Sequence, residues 1–260
     1  MGYANVNGLD MYYETHGSGQ PLLLLHGNLS TIEVDFGQVI PELAKTRQVI
    51  AVEQQAHGRT ADIDRPLTIQ NWADDTAELL RQLGIASVAV FGYSSGSAVA
   101  IQRARDHPEL VRKLALASFA HRLDGLHPGL LDGIKDLQPE HLAGSPFEAS
   151  YAKLAPRQQD WPVLIKKITE MDRDLPEWPA EAITGLGKPM LLIIGDSDIV
   201  RPEHAVELFG LVGGGVIGDL VGLPDSRLAV LPGTTHITLV HRAEWLASML
   251  EEFLAAEPAS

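Results

Sequence analysis

The feature that most constrains this chain is a set of short apolar runs in which hydrophobic residues follow one another without alternation. Residues 21–26 hold Leu22, Leu23, Leu24 and Leu25 and stop at Gly27. Residues 48–52, 87–91, 113–117, 190–194 and 227–231 are runs of the same kind. A strand with water on one face alternates apolar and polar residues, whereas a strand covered on both faces has no reason to. Helical patterns separate the runs. Residues 68–83 space Ile69, Trp72, Ala73, Thr76, Leu79, Leu80 and Leu83 at helical intervals, with Gly84 placed to end the helix. Residues 95–106, 206–212 and 243–254 read as further helices. Residues 6–15, with Asn7-Gly8 inside them, read as a leading antiparallel hairpin. Strand–helix alternation of this kind predicts an α/β fold, a mostly parallel, doubly wound sheet with helices on both faces.

One stretch breaks the rhythm. Residues 119–188 contain no convincing strand, many prolines, and the bulky residues Phe147, Tyr151, Trp161, Ile165, Met171 and Trp178. They read as a helical cap inserted into a core made of residues 1–118 and 189–260. Such a cap would emerge at the carboxyl edge of the sheet. Phe147, Tyr151, Trp161, Met171 and Trp178 are therefore expected to line a substrate pocket and exclude water. Residues 213–224, with three successive glycines, read as a loop before the last strand.

Composition narrows the function. Lysine and arginine number 20 against 34 acids, a formal charge of −14. That field repels polyanions, so nucleic acid is not an expected partner. With no cysteine, disulfides, thiolate metal sites and cysteine nucleophiles are excluded. No basic segment followed by an apolar run opens the sequence, and no apolar stretch approaches the roughly 20 residues of a membrane helix. A cytoplasmic protein without membrane attachment is the expectation.

The chemistry concentrates on three late-loop or turn positions. Gly92-Tyr93-Ser94-Ser95-Gly96 fits G-x-S-x-G. On the order of one chain in ten of this size carries that pattern by chance, so the context decides. Here it follows an apolar run and opens a helix of small residues. A serine on a tight strand-to-helix turn needs small neighbours, and its hydroxyl sits over a helix N-terminus that favours negative charge. Ser94 is thus the candidate nucleophile. A serine hydroxyl needs a base. Of ten histidines, His236 follows the last strand run at the same sheet edge, and it is the candidate base. An acid must orient the imidazole. Asp196 and Asp198 both follow the run 190–194. Asp198, further into the loop, is favoured, and Asp196 is expected to bond loop amides. The oxyanion of an acyl-transfer intermediate needs two backbone amides. Ser95, next to the nucleophile, and Asn28, in the His26-Gly27-Asn28 loop, are the candidates. No metal-ligand spacing such as H-E-x-x-H is present, and no metal or cofactor is expected.

These residues resemble the α/β-hydrolase family of esterases, lactonases and related enzymes, over nearly the whole chain. The chain order Ser94, Asp198, His236 is the family's. Two details depart: Ser97 stands where family members often have a glycine, and residues 53–60 replace a common Asp-x-x-Gly-x-Gly stretch. The resemblance implies a serine hydrolase acting on a small-molecule carboxylic ester or lactone. The lactone alternative includes acyl-homoserine lactones and macrolide-type esters. A non-catalytic ligand receptor on the same fold is the alternative from another class. Ser94 argues against relatives that use an aspartate nucleophile.

Overall fold

The computed structural model describes residues 1–256. Eight strands form one sheet: β1 (Gly2–Val6), β2 (Leu9–His16), β3 (Gln20–Leu25), β4 (Arg47–Val52), β5 (Val88–Tyr93), β6 (Val111–Ala117), β7 (Met190–Ser197) and β8 (Arg227–Thr235). Their spatial order is β1-β2-β4-β3-β5-β6-β7-β8. The first two pairings are antiparallel and the rest parallel. The β1–β2 turn is Asn7-Gly8, at φ 51° and 84°. Two successive positive φ values match the right-handed twist of the flanking strands, and Asn-Gly adopts them at least cost.

The unbroken apolar runs are explained by two separate cores. Leu23, Leu25, Val90, Leu114, Leu116 and Leu192 face one side, against Trp72, Leu79, Leu80, Val99 and Ile101. Leu22, Leu24, Phe91, Ala115, Ala117 and Ile193 face the other, against Phe36, Leu43, Leu246, Leu250 and Phe253. Burying one such side chain contributes about 1.5–3 kcal/mol. An exposed ion pair contributes about 0–1 kcal/mol, so the four leucines of β3, all 0% exposed, outweigh the surface salt bridges. The helix Ile69–Gln82 begins at Thr68, whose hydroxyl accepts from the Asn71 amide at 3.0 Å. It is followed by Gly84 at φ 70°.

The chain between β6 and β7 forms no strand. Its helices are Leu130–Lys135, Pro146–Leu154, Trp161–Arg173 and Ala180–Thr184. One antiparallel bridge, Leu126 to Val200, ties it back to the core. The stretch 213–224 differs from the expected loop, because Gly218–Val221 makes one helical turn. That turn leaves Leu220 and Val221 exposed; periodicity cannot register a helix this short.

Candidate active site

Four parallel strands end at one edge of the sheet and deliver the site. β5 ends at Tyr93, and the helix Ser95–Asp106 starts at once. Ser94 between them has φ 55° and ψ −124°, a conformation that costs a non-glycine residue about 1–3 kcal/mol. The surroundings impose it. The Ser94 amide donates to the Ala117 carbonyl of β6 at 2.9 Å, and the Ser94 carbonyl accepts from the Ser97 amide at 2.9 Å. Ser97 adds a second tie: its hydroxyl is placed on the carbonyls of Gly92 at 2.7 Å and Ala117 at 3.0 Å. The two glycines have packing reasons. A Cβ on Gly92 would collide with the Gly96 backbone, and one on Gly96 with the Leu25 carbonyl.

The loop after β3 is clamped from three sides. His26 Nε2 accepts from the Gln54 amide at 3.0 Å. Buried Asp35 accepts from the Gly27 amide at 2.8 Å. His57 Nε2 accepts from the Leu29 amide at 3.0 Å. Burial pushes His26 down to about 4 and His57 down to about 3, so both rings are neutral and free to accept. Burial pushes the Asp35 carboxyl up to about 6, against the Ser30 and Gly27 hydrogen bonds that favour its charge. Asn28 therefore sits in a fixed loop, in the wall of the cavity that Ser94 and Ser95 also line. Among the described residues, no acceptor engages the Asn28 or Ser95 amide.

The two aspartates at the end of β7, Asp196 within it and Asp198 just after it, have different surroundings. Asp198 is 5% exposed, and its Oδ1 lies 3.2 Å from His236 Nδ1. The same oxygen accepts from the Ile199 amide at 2.7 Å. Oδ2 accepts from the Ser118 hydroxyl at 2.5 Å and the Gly195 amide at 3.1 Å. Burial alone would raise this carboxyl. The hydrogen bond and charge of His236, with the Ser118 and Gly195 donors, hold it below the usual carboxylate range. Asp196 is exposed and turned away: it accepts from the Gly233 and Thr234 amides at 2.9 and 3.1 Å, which hold its carboxyl low. It thus joins the end of β7 to β8.

His236 opens the helix His236–Leu239, capped by Thr235. The Tyr93 hydroxyl donates to the His236 carbonyl at 2.8 Å, and the two rings stack with centroids 5.1 Å apart. The residue before Ser94 thus holds the residue expected to serve it. With Nδ1 turned to Asp198, Nε2 is the nitrogen left for chemistry. Among the described residues, no group of three or more His, Asp or Glu side chains is arranged to hold a metal ion.

The cavity beside Ser94 corrects the expected pocket. Of the five aromatic and methionine candidates, Trp178 lines it, while Phe147, Tyr151, Trp161 and Met171 do not. Tyr151 and Trp161 pack ring on ring at 5.1 Å, inside the core that joins the helix Trp161–Arg173 to the sheet. Met171 opens instead onto a separate groove with Ile69 and Gln102. The helical period is the reason: Trp161, Leu164, Ile165, Ile168 and Met171 share one inward face, all buried. The apolar wall comes from Leu126, Leu130, Leu131, Ile134 and Leu175. The helical spacing of 130, 131 and 134 was a usable signal, and bulk was a misleading one. Trp161→Ala is accordingly expected to cost about 3–5 kcal/mol of stability with the substrate profile kept. Trp178→Ala should alter acyl-chain preference. Thermal melts and an ester chain-length series check both, and a changed profile in the Trp161 variant would restore it to the pocket.

Sequence reasoning missed Asp35, His57 and Ser118 as parts of this site. His57 and Ser118 act through partners 28 and 80 residues away, Asp35 through Gly27 and Ser30 nearby, and none carries a recognisable local pattern.

The comparisons with known proteins agree with this architecture. A model of the alpha/beta hydrolase fold matches residues 20–240. The serine hydrolase BPHL of Mus musculus is 26% identical over 259 residues, covering 96% of this chain and 84% of its own. The enol-lactonase from Burkholderia xenovorans LB400 has a TM-score of 0.74 at 19% identity, with 98% of this chain and 100% of that one covered. The meta-cleavage product hydrolase from Pseudomonas fluorescens IP01 has a TM-score of 0.75 at 20% identity, with 98% and 97% covered. With the family match spanning residues 20–240 and Ser94 held on its strand-to-helix turn, the chain belongs to the α/β-hydrolase fold family.

Proposed function

We propose that this protein is a serine hydrolase that cleaves carboxylic esters or lactones through an acyl-enzyme on Ser94. The observation that carries the reading is the buried, ionised Asp198 bonded to His236 Nδ1, at the sheet edge where Ser94 is held strained and its helix begins. His236 Nε2 takes the Ser94 proton as Oγ bonds to the carbonyl carbon. The oxygen, now negative, receives the Asn28 and Ser95 amides. Collapse breaks the bond to the alcohol oxygen, which leaves with the proton from His236. Water then attacks the acyl-enzyme by the same steps in reverse order, giving the acid and free Ser94. In a lactone the alcohol stays tethered to the acyl group, and the product is a hydroxy acid.

Small carboxylesters rank first as substrates, because the cavity wall is apolar and covered by the 119–188 segment. Lactones rank second, a reading supported by the enol-lactonase among the fold relatives. Long-chain lipids rank last. A panel of aryl esters, simple lactones and acyl-homoserine lactones tests the reading. Multiple turnover is the expected result. Stoichiometric release followed by arrest would favour a ligand receptor instead.

Turnover is expected to fall at acid pH, since a protonated imidazole has no lone pair to accept the Ser94 proton. Asp198, held below the usual carboxylate range, keeps its charge beside His236. EDTA is expected to leave the rate unchanged. A loss reversed by added zinc would sink the metal-free mechanism.

A further inference from the structure

We propose that Asp172 and Asn28 form a polar subsite beside Ser94 that takes a hydroxyl or N–H group carried on the substrate next to its reacting carbonyl. The inference rests on the serine-hydrolase reading and specifies its substrate class. Asp172 lies at the end of the cap helix Trp161–Arg173 and lines the cavity together with Ser94, Ser95 and Asn28. One of its oxygens accepts from Asn28 Nδ2 at 3.0 Å. Among the described residues, nothing donates to the other oxygen, and no cation pairs with the carboxyl. Arg122, also in the cavity wall, is committed to Asp124 and Glu207 at 3.1 and 2.9 Å. The Asn28 Oδ1 is likewise buried without a partner.

A buried acceptor without a donor, as Asn28 Oδ1 is, costs free energy, and a ligand is one way to supply the missing group. Apart from the committed Arg122, the side chains of residues 119–188 that line this cavity with Asp172 are apolar, so the orphaned Asn28 Oδ1 and the open Asp172 oxygen select a donor. Burial pushes the Asp172 carboxyl up to about 7, opposed by the Asn28 hydrogen bond, and a carboxyl accepts a hydrogen bond in either protonation state. The position of the donor on the substrate follows from Asn28 serving twice. Its backbone amide faces the oxyanion in the proposed mechanism, and its side chain holds Asp172. The recognised group therefore sits on the α or β carbon of the acyl part, away from a long tail.

Isosteric ester pairs test this. Ethyl lactate is compared with ethyl isobutyrate, and ethyl β-hydroxybutyrate with ethyl isovalerate, by acid release in wild type and Asp172→Leu. In at least one pair the wild type is expected to favour the hydroxy ester in kcat/KM by about tenfold or more, mostly through KM. The leucine variant should lose that ratio. Asp172→Asn, closer in shape, gives a second reading should the leucine variant not fold. Its carbonyl can keep the Asn28 bond while its NH2 replaces the open oxygen, so the O-methyl ethers, which only accept, gain on the hydroxy esters. Turnover of both members with equal kcat/KM in wild type would overturn the subsite and leave the hydrolase reading intact. An equal loss on both members in the variants would make Asp172 a latch between cap and core, and also overturn it. Failure to turn over any ester would overturn the hydrolase reading and this inference together.

Discussion

Ser94→Ala is expected to abolish ester turnover while leaving the protein folded. Removal of the nucleophile in subtilisin-type enzymes costs on the order of 10⁶-fold in kcat, and the proposed mechanism predicts a loss of that order here, because no second hydroxyl stands on the turn in the same conformation. Ser95 is the first residue of the helix, and its side-chain oxygen is buried without a partner. Ser97 is committed to two carbonyls. The substitution removes one oxygen and keeps the Cβ, so packing against Gly27, whose added Cβ would meet Ser94 Cβ at 3.2 Å, is unaltered. A fluorophosphonate should label the wild type at Ser94 and fail to label the variant. More than a few per cent residual turnover at an unchanged melting temperature would mean that the nucleophile is another residue.

The second large effect separates the two aspartates. Asp198→Asn is expected to lower kcat by about 10⁴-fold, the cost of presenting a histidine in the wrong tautomer. Asp196→Asn should cost far less, since its carboxylate meets the Gly233 and Thr234 amides and not the imidazole. Stability adds a second signature. Asp198 is depressed in the folded state, so its contribution is present above the ordinary carboxylate pKa and is lost as pH falls through its folded value. The asparagine variant should therefore show a flatter acid limb in a stability–pH curve than wild type. Equal losses of activity in the two variants would show that the loop, and not the acid, is what both residues provide.

The parts of this site that were legible in the sequence are the parts whose cause is local. The runs at 21–26 and 190–194 read as covered strands because covering both faces removes alternation. Asn7-Gly8 read as a hairpin turn because few other pairs accept two positive φ values. The turn at Ser94 between strand and helix was readable because glycine spacing and the following helix lie within a few residues of it. Asp198 could be preferred over Asp196 only by loop position, and the structure supplies a reason for the difference in the amides of a strand that comes 37 residues later for Gly233. The pocket was not legible. Trp161 and Leu131 are both apolar residues on helices, and which one faces a cavity depends on how the helices are set against the sheet, a matter of packing across the whole 119–188 segment. The clamp on the Asn28 loop was equally hidden, since Asp35 and His57 reach it from separate segments.

The position of β8 gives the Asp196 contact a larger meaning. β8 ends the sheet order, with a paired strand on one side only, and terminal strands are where a sheet opens first by local unfolding. The general base of the proposed mechanism, carried there, would leave register whenever the strand end lifted, long before the rest of the molecule melted. Asp196 fastens that end at Gly233 and Thr234, just before His236, and to the same loop that carries Asp198. Asp198 and His236, the proposed acid and base, are thereby carried on a single fastened unit, so thermal inactivation should track global unfolding and not fraying of the sheet margin. In hydrogen exchange the Gly233 and Thr234 amides should be protected like those of an interior strand, and Asp196→Asn should speed their exchange at temperatures where the core amides are still silent.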